Sequence, residues 1–293
     1  MPDSQIQQVR RFNRLITRRV GALDDDYLRR GRPLGEARLI YEVGRDGAEV
    51  RALRDRLGLD SGYASRLLRS LEAQGLIRVR PAPDDGRRRR VELTAKGRKE
   101  LSAYDRLSDR LARSMLDPLD PPERDRLVAT MTEVERLIRA ALIEVQIEAP
   151  TSTEARWCLT RYFEELATRF ETGFDPGKSN PAPDADMTPP RGVFVVARLD
   201  GAAVGCGALR RIDKTTGEIK RMWTAPSARG CGVARKVLHR LEASAKQWRL
   251  KSLRLETNRT LTEAQALYRG EGYREVAAFN AEPYAHHWFE KRL

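Results

Sequence analysis

Pro226-Ser227-Ala228-Arg229-Gly230-Cys231-Gly232-Val233-Ala234 decides how the C-terminal half of this chain is read. It follows a strand-like run, Glu218 to Thr224. It opens a helix whose apolar residues Val233, Val237, Leu238, Leu241 and Ala245 fall on one face. A strand, a glycine turn and a helix N-terminus together make an anion cradle. Unpaired backbone N–H groups point outward there, and the helix dipole adds partial positive charge. Gly230 and Gly232 let a phosphate approach where a Cβ would block it. The turn reads as a diphosphate site.

The spacing narrows the choice of diphosphate. A dinucleotide fingerprint needs Gly-x-Gly-x-x-Gly, and Arg235 stands where its third glycine belongs; the Gly-Lys-Ser/Thr ending of a P-loop is absent. What remains is Arg/Gln-x-x-Gly-x-Gly/Ala, carried by Arg229, Gly232 and Ala234. This pattern resembles the coenzyme A pyrophosphate loop of the GNAT acetyltransferase superfamily. The likeness continues downstream. Ser252 to Thr257 reads as a strand with Asn258 after its end, and Leu261 to Arg269 reads as a short helix running into Leu267-Tyr268-Arg269-Gly270-Glu271-Gly272-Tyr273. Upstream, Gly192 to Arg198 and Ala203 to Arg211 form a hairpin signal around Asp200-Gly201. His287 to Lys291 reads as a last strand. The resemblance covers about residues 151–293 and implies an α/β fold with a mixed, splayed sheet.

At 293 residues and 40% hydrophobic content the chain fits two packed domains. No apolar run approaches a membrane span and the N-terminus lacks a signal-peptide core, so no membrane partner is expected. Cys158, Cys206 and Cys231 form no metal-spaced pair, which predicts a reducing, cytoplasmic setting and no metal. The net charge of +13 is uneven: residues 1–102 carry +9, residues 103–150 carry −3 and the remainder +7. A basic first block favours a polyanionic partner.

The pattern inside that block is more specific. Val50, Leu53 and Leu57 mark a short helix ended by Gly58. Ser61 to Gln74 forms a second helix with Ala64, Leu67, Leu68 and Leu71 on its core face. Ser61, Gly62, Tyr63, Ser65, Arg66 and Arg69 lie opposite or at its N-terminal end. Two short helices and a tight turn, the second studded with polar and basic groups, describe a helix-turn-helix fitted to a DNA major groove. Leu76 to Arg80 and Val91 to Thr94 then form a two-stranded ribbon whose tip, Pro81 to Arg90, is suited to a minor groove. Asp85-Gly86-Arg87 ahead of Val91-Glu92-Leu93-Thr94-Ala95-Lys96-Gly97 resembles the wing of the MarR winged-helix regulators. That likeness spans about residues 5–148. It implies that Asp85 braces the wing, that Arg87 with Arg88 reaches the groove, and that terminal helices (Ile6 to Val20, Leu101 to Ala149) form a homodimer on a palindromic double-stranded operator. The short segment before the winged core trims the first of these helices.

The expected organisation is therefore a mainly α, dimeric MarR-like domain over 1–148 and an α/β GNAT domain over 149–293. Glu148 to Thr153 is the junction, and Gly173 to Pro190 is a mobile surface loop near the acceptor entrance. The GNAT resemblance implies acetyl-CoA as donor. Met222, Trp223 and Thr224 would pair with its pantetheine, and the Arg229, Gly230, Cys231, Gly232, Val233, Ala234 and Arg235 turn would hold its pyrophosphate. Asn258 would bond its arm. Tyr268 matches the family's general acid, with ring packing as the alternative. Glu218 is the candidate base, with an exposed strand-end carboxylate as the alternative. Tyr284, His286 and His287 lie near the expected acceptor side. A small-molecule amine or a protein lysine would leave this pattern unchanged. Two functions stay open: a bifunctional regulator and N-acetyltransferase, or a regulator that senses acetyl-CoA without turnover.

Overall fold

The computed structural model describes residues 2–82 and 88–293. Asp85 and Arg87, two of the expected wing residues, lie outside the described residues. The chain divides into two compact units, Met1–Thr130 and Met131–Leu293.

In the first unit, α1 (Asp3–Arg19) leads to α2 (Leu34–Val43), β1 (Ala48–Glu49), α3 (Val50–Leu57), α4 (Ser61–Ala73), β2 (Ile77–Pro81), β3 (Arg89–Leu93) and α5 (Ala95–Leu116). The start of α6 (Pro121–Leu142) completes it. Gly58 at φ 61° ends α3 in the left-handed conformation a helix stop favours. Asp60 caps α4 by accepting the Tyr63 N–H at 2.8 Å. Three strands pair in the order β1-β3-β2, so the ribbon expected after the second helix is present with a short third strand beside it. Leu39, Ile40, Leu53, Leu71, Leu76 and Ile77 form the fully buried centre.

A buried carboxylate pins the N-terminal approach to this core. Glu100 accepts from Arg30 at 2.7 and 2.9 Å and from Arg32 at 2.6 Å. The Arg30 hydrogen bond, joined by the Arg32 charge, holds the Glu100 carboxyl below its ordinary 4.5. A depressed folded-state value gives stability that is complete above the unfolded value and lost as pH falls through the folded one. Glu100→Gln should therefore lower the unfolding temperature at neutral pH. The variant should also lose less than the parent between about pH 5 and pH 3, which a thermal-melt series across pH measures.

The second unit contains the end of α6 and a seven-stranded sheet in the order β4-β5-β6-β7-β8-β10-β9. Its elements are β4 (Glu144–Glu148), α7 (Thr153–Arg169), β5 (Gly192–Leu199), β6 (Ala202–Arg211), β7 (Thr216–Thr224), α8 (Val233–Gln247), β8 (Ser252–Thr257), α9 (Thr262–Gly270), β9 (Arg274–Val276) and β10 (His287–Arg292). The β5–β6 hairpin turns on Asp200 (φ 52°) and Gly201 (φ 80°), the paired positive φ of a type I′ turn. The predicted apolar face of α8 is buried throughout. It packs closely on β6 because that strand carries Gly205 and Gly207. A Cβ on Gly205 would lie 2.7 Å from Val233 Cγ1, and one on Gly207 would lie 2.6 Å from Val237 Cγ1.

One sequence expectation is corrected here. The helical reading to Ala149 holds only to Leu142, because Glu144-Val145-Gln146-Ile147-Glu148 alternates with a period of two and pairs with β5 as an edge strand. The junction expected between 148 and 149 thus falls between β4 and α7, both in the second unit. The 173–190 stretch lies largely at the surface; Met187 in it is buried, and Ser179 and Asn180 donate to Glu282.

The sheet opens where the ligand motifs lie. β7 and β8 are its parallel pair, hydrogen-bonded only from Thr216↔Ser252 to Glu218↔Arg254. Both strands run on beyond that point, β7 to Thr224 and β8 to Thr257, without pairing to each other. On its other edge β7 bulges: the register steps from Ala208↔Lys220 to Cys206↔Trp223, and Arg221 takes φ 57°. A bulge beside a splay re-aims backbone groups at the place where a ligand would enter.

Candidate functional site

The turn before α8 has the geometry of an anion cradle. Gly230 and Gly232 take φ 78° and 79°, and Gly232 is the N-cap, with no side chain to satisfy the helix amides. Among the described residues no acceptor takes the N–H of Gly232, Val233, Ala234 or Arg235. A Cβ on Gly232 would meet nothing within 4 Å, so the concavity is open. Three arginines border it. Arg229 pairs with Glu165 at 2.6 Å and Arg235 with Glu271 at 2.6 Å. Arg136, from α6, donates to the Gly230 carbonyl at 2.9 Å while Glu133 holds its other nitrogens. The amides, the dipole and this charge fit a diphosphate. Cys231 is a buried small residue in the turn.

A cleft of about 100 Å³ lies along the splay. Met222, Asn258, Tyr268 and Tyr284, four of the expected site residues, line it together with Tyr162, Glu256 and Glu282. Trp223 turns its ring into the core and donates from Nε1 to Glu165 at 2.9 Å, and the Thr224 hydroxyl is buried without a partner. Asn258 braces the end of β8: its Nδ2 donates to the Tyr284 carbonyl at 2.8 Å and its Oδ1 accepts from the Thr260 N–H at 2.9 Å.

Tyr268 is buried between Tyr273 and Phe289, with ring centroids at 5.9 and 6.0 Å. Burial pushes its phenol well above the ordinary value, so it stays protonated at neutral pH. Tyr162 is also pushed up, to about 12, mainly by burial.

Glu218 is not the exposed strand-end group offered as its alternative role. It is 2% exposed, ion-paired with Arg210 and 3.8 Å from Lys220, and it does not line the cleft. Burial pushes its carboxyl upward against the pull of Lys220 and Arg210. Lys220 also pairs at 2.7 Å with Glu256, which does face the cleft. His286 is exposed and His287 bonds Glu275 at 2.6 Å; neither lines the cleft.

Sequence reasoning missed Tyr162, Glu256, Glu282 and Arg136. Glu256 sat inside the quoted strand, where its alternation with Leu253 and Leu255 placed it off the core face. The other three come from elements whose position beside the splay is set only by folding.

In the first unit, Ser61, Gly62, Tyr63, Ser65, Arg66 and Arg69 are all exposed on α4, opposite the buried Ala64, Leu67, Leu68 and Leu71. The Arg66 guanidinium lies over the Tyr63 ring at 5.6 Å, and Arg69 bonds the Ser65 carbonyl at 3.3 Å. Arg88 is exposed and pairs with Glu49 at 3.4 Å. This is the polar, basic face of a helix-turn-helix.

An amide cradle at the mouth of a splayed mixed sheet defines an acyl-coenzyme A transferase fold, joined to a winged helix-turn-helix. Residues 159–273 match the acetyltransferase (GNAT) family and residues 30–88 the MarR family. The chain is 37% identical over 124 residues to an IAA acetyltransferase of Azospirillum brasilense, covering 41% of this chain and 80% of that protein. It is 28% identical over 100 residues to the uncharacterized HTH-type transcriptional regulator YdgJ of Bacillus subtilis, covering 34% of this chain and 60% of that one. A GNAT-family acetyltransferase structure from Staphylococcus aureus aligns at 18% identity and TM-score 0.43, over 51% of this chain and 98% of that chain. The chain belongs to the GNAT acetyltransferase family, and its first part is a winged helix-turn-helix that resembles the MarR family over residues 30–88. It is a GNAT-type N-acetyltransferase. No helix among the described residues is long and apolar enough to cross a membrane.

Proposed function

We propose that this protein is a DNA-binding regulator that also acetylates an amine, using acetyl-CoA held by the α8 turn. The observation that carries the reading is the open amide row of Gly232 to Arg235 in the same unit as a cleft lined by a buried, protonated Tyr268. Acetyl-CoA supplies a thioester acetyl group; the amine nitrogen takes the acetyl carbon as the carbon–sulfur bond breaks, giving an amide and a free thiol. The amides of Gly230 to Arg235, with Arg229, Arg235 and Arg136 beside them, bind the diphosphate. The unpaired edge of β7 at Met222 to Thr224 receives the arm by strand-like hydrogen bonds, and a β7 N–H in the splay polarises the thioester carbonyl. Tyr268 holds a proton at Oη for the departing sulfur. The Glu256 carboxylate, with Glu218 behind Lys220, accepts the proton that the acceptor ammonium gives up. Release of free thiol on adding amines, followed across an amine panel, is the direct trial. Tight acetyl-CoA binding with no thiol release for any amine would convert the reading to a sensor.

The regulatory half rests on the exposed basic face of α4 and on the ribbon that follows it. Two copies pairing through their terminal helices would present two such faces to a palindrome of double-stranded DNA, with half-sites about one helical turn apart. Ile6, Val9, Phe12 and Leu15 form an exposed apolar stripe on α1 that supports this pairing. Arg66→Ala should weaken operator binding about tenfold and reduce the salt-dependence slope by about one phosphate equivalent. Footprinting and salt-titrated binding measure both. No sequence preference at physiological salt, and no effect of Arg66→Ala, would remove the regulatory half.

A further inference from the structure

The cleft wall away from the cradle has a composition of its own. Phe170, Phe174 and Tyr284 meet there as a corner of rings, with centroids 5.7, 5.7 and 4.8 Å apart. Phe163 stacks behind Phe174 at 5.9 Å, with the planes 11° apart, and stiffens it. All three corner residues line the cleft.

Beside them sits a carboxylate with an unusual charge environment. Glu282 is 7% exposed and accepts from Ser179 Oγ at 3.0 Å, the Asn180 N–H at 2.6 Å and the Tyr284 N–H at 3.4 Å. Among the described residues no cationic side chain lies within ion-pair distance of it. The two cations on the wall are engaged by other groups. Lys220 is shared between Glu256 and Glu218. The Arg221 guanidinium lies over the Phe163 ring at 4.9 Å and the Tyr162 ring at 5.8 Å. Glu282 is thus the lining carboxylate that no cation pairs with among the described residues, and a carboxylate taken out of water is costly until a cation reaches it.

We propose that the acceptor is a primary amine carried on a flat aromatic body, its ring seated against Phe170, Phe174 and Tyr284 and its ammonium drawn in by Glu282. This rests on the acetyltransferase reading and adds the acceptor class to it. The ammonium passes from Glu282 toward Glu256 and loses one proton to that carboxylate; the neutral nitrogen then bonds the acetyl carbon as the carbon–sulfur bond breaks, Tyr268 gives its proton to the sulfur, and the nitrogen's second proton restores the phenol. Faces of aromatic rings favour both another ring and a cation, so corner and carboxylate select the same molecule. An aryl carboxylate would bring a second negative charge to Glu282, and a small aliphatic amine would leave the ring corner unfilled.

Steady-state kinetics of the full chain with 2-phenylethylamine, ethylamine, spermidine, phenylacetate and a lysine peptide test this. The expected kcat/KM for 2-phenylethylamine exceeds that for ethylamine and spermidine by at least about tenfold, with no product from phenylacetate. Glu282→Gln should raise KM for 2-phenylethylamine by about tenfold or more, with the acetyl-CoA affinity unchanged. Because Glu282 also anchors Ser179 and Asn180, Phe174→Ala serves as the second variant; it should raise KM for 2-phenylethylamine but not for ethylamine. Preference for spermidine, ethylamine or the peptide overturns the acceptor class and leaves the acetyltransferase reading standing. If no amine is acetylated, calorimetry of 2-phenylethylamine with the CoA-loaded protein decides, and absence of binding overturns the site.

Discussion

Replacing Gly232 with Glu will abolish acetyl-CoA binding while the fold persists. Gly232 takes φ 79° and caps α8, and the space its Cβ would enter is empty. A carboxylate there projects toward the free amides of Val233 to Arg235 and competes for them intramolecularly. It also sets a negative charge against the diphosphate, a juxtaposition that costs several kcal/mol. The expected loss is at least about 10²-fold in affinity, since each 1.4 kcal/mol is tenfold. Any side chain at positive φ adds backbone strain of about 1–2 kcal/mol, so Gly232→Ala separates strain from charge. Calorimetry should show a modest loss for Ala and no measurable binding for Glu, with unchanged circular dichroism in both. Equal affinities for the parent and the Glu variant would dismiss the turn as the coenzyme site.

Tyr268→Phe should lower turnover by roughly 10²-fold or more, the usual scale for losing a general acid. The ring is packed by Tyr273 and Phe289, and phenylalanine keeps those contacts, so the variant should fold and bind acetyl-CoA as the parent does. The raised phenol value means that Tyr268 stays protonated through the neutral and mildly alkaline range. Turnover should show no alkaline limb from this group below about pH 10. A loss smaller than about threefold would return the residue to a packing role.

Both helix boundaries and the glycine turn were legible because their signals are local. Gly58 and the Val233–Ala245 periodicity each act within a turn or two of their own position. The role of Glu218 was not legible, because its environment is made by Arg210 on the neighbouring strand and Lys220 two residues away. A strand-end carboxylate looks exposed until the sheet assembles around it. The edge strand β4 was hidden for a different reason. Its five-residue alternation follows a 22-residue helix with no glycine between them, so helical periodicity was carried past its end. The proposed acceptor wall was read from sequence only in part, through Tyr284 and the loop that begins at Gly173; that Phe170, Phe174, Glu282 and Tyr284 come together is a tertiary event between two irregular segments.

Gly205 and Gly207 give β6 a role that neither residue shows in isolation. Val233 and Val237, which rest on them, lie one turn apart at the start of α8. The two missing side chains therefore set the height of that first turn above the sheet. The amide row rides on the turn, whereas Tyr268 and Glu256 ride on α9 and β8. A single methyl on either glycine would raise one jaw of this pair and leave the other in place. On the proposed acetyltransferase reading the fold acts as a caliper, and a donor arm of fixed length would deliver its acetyl carbon to working depth only while the jaws keep this setting.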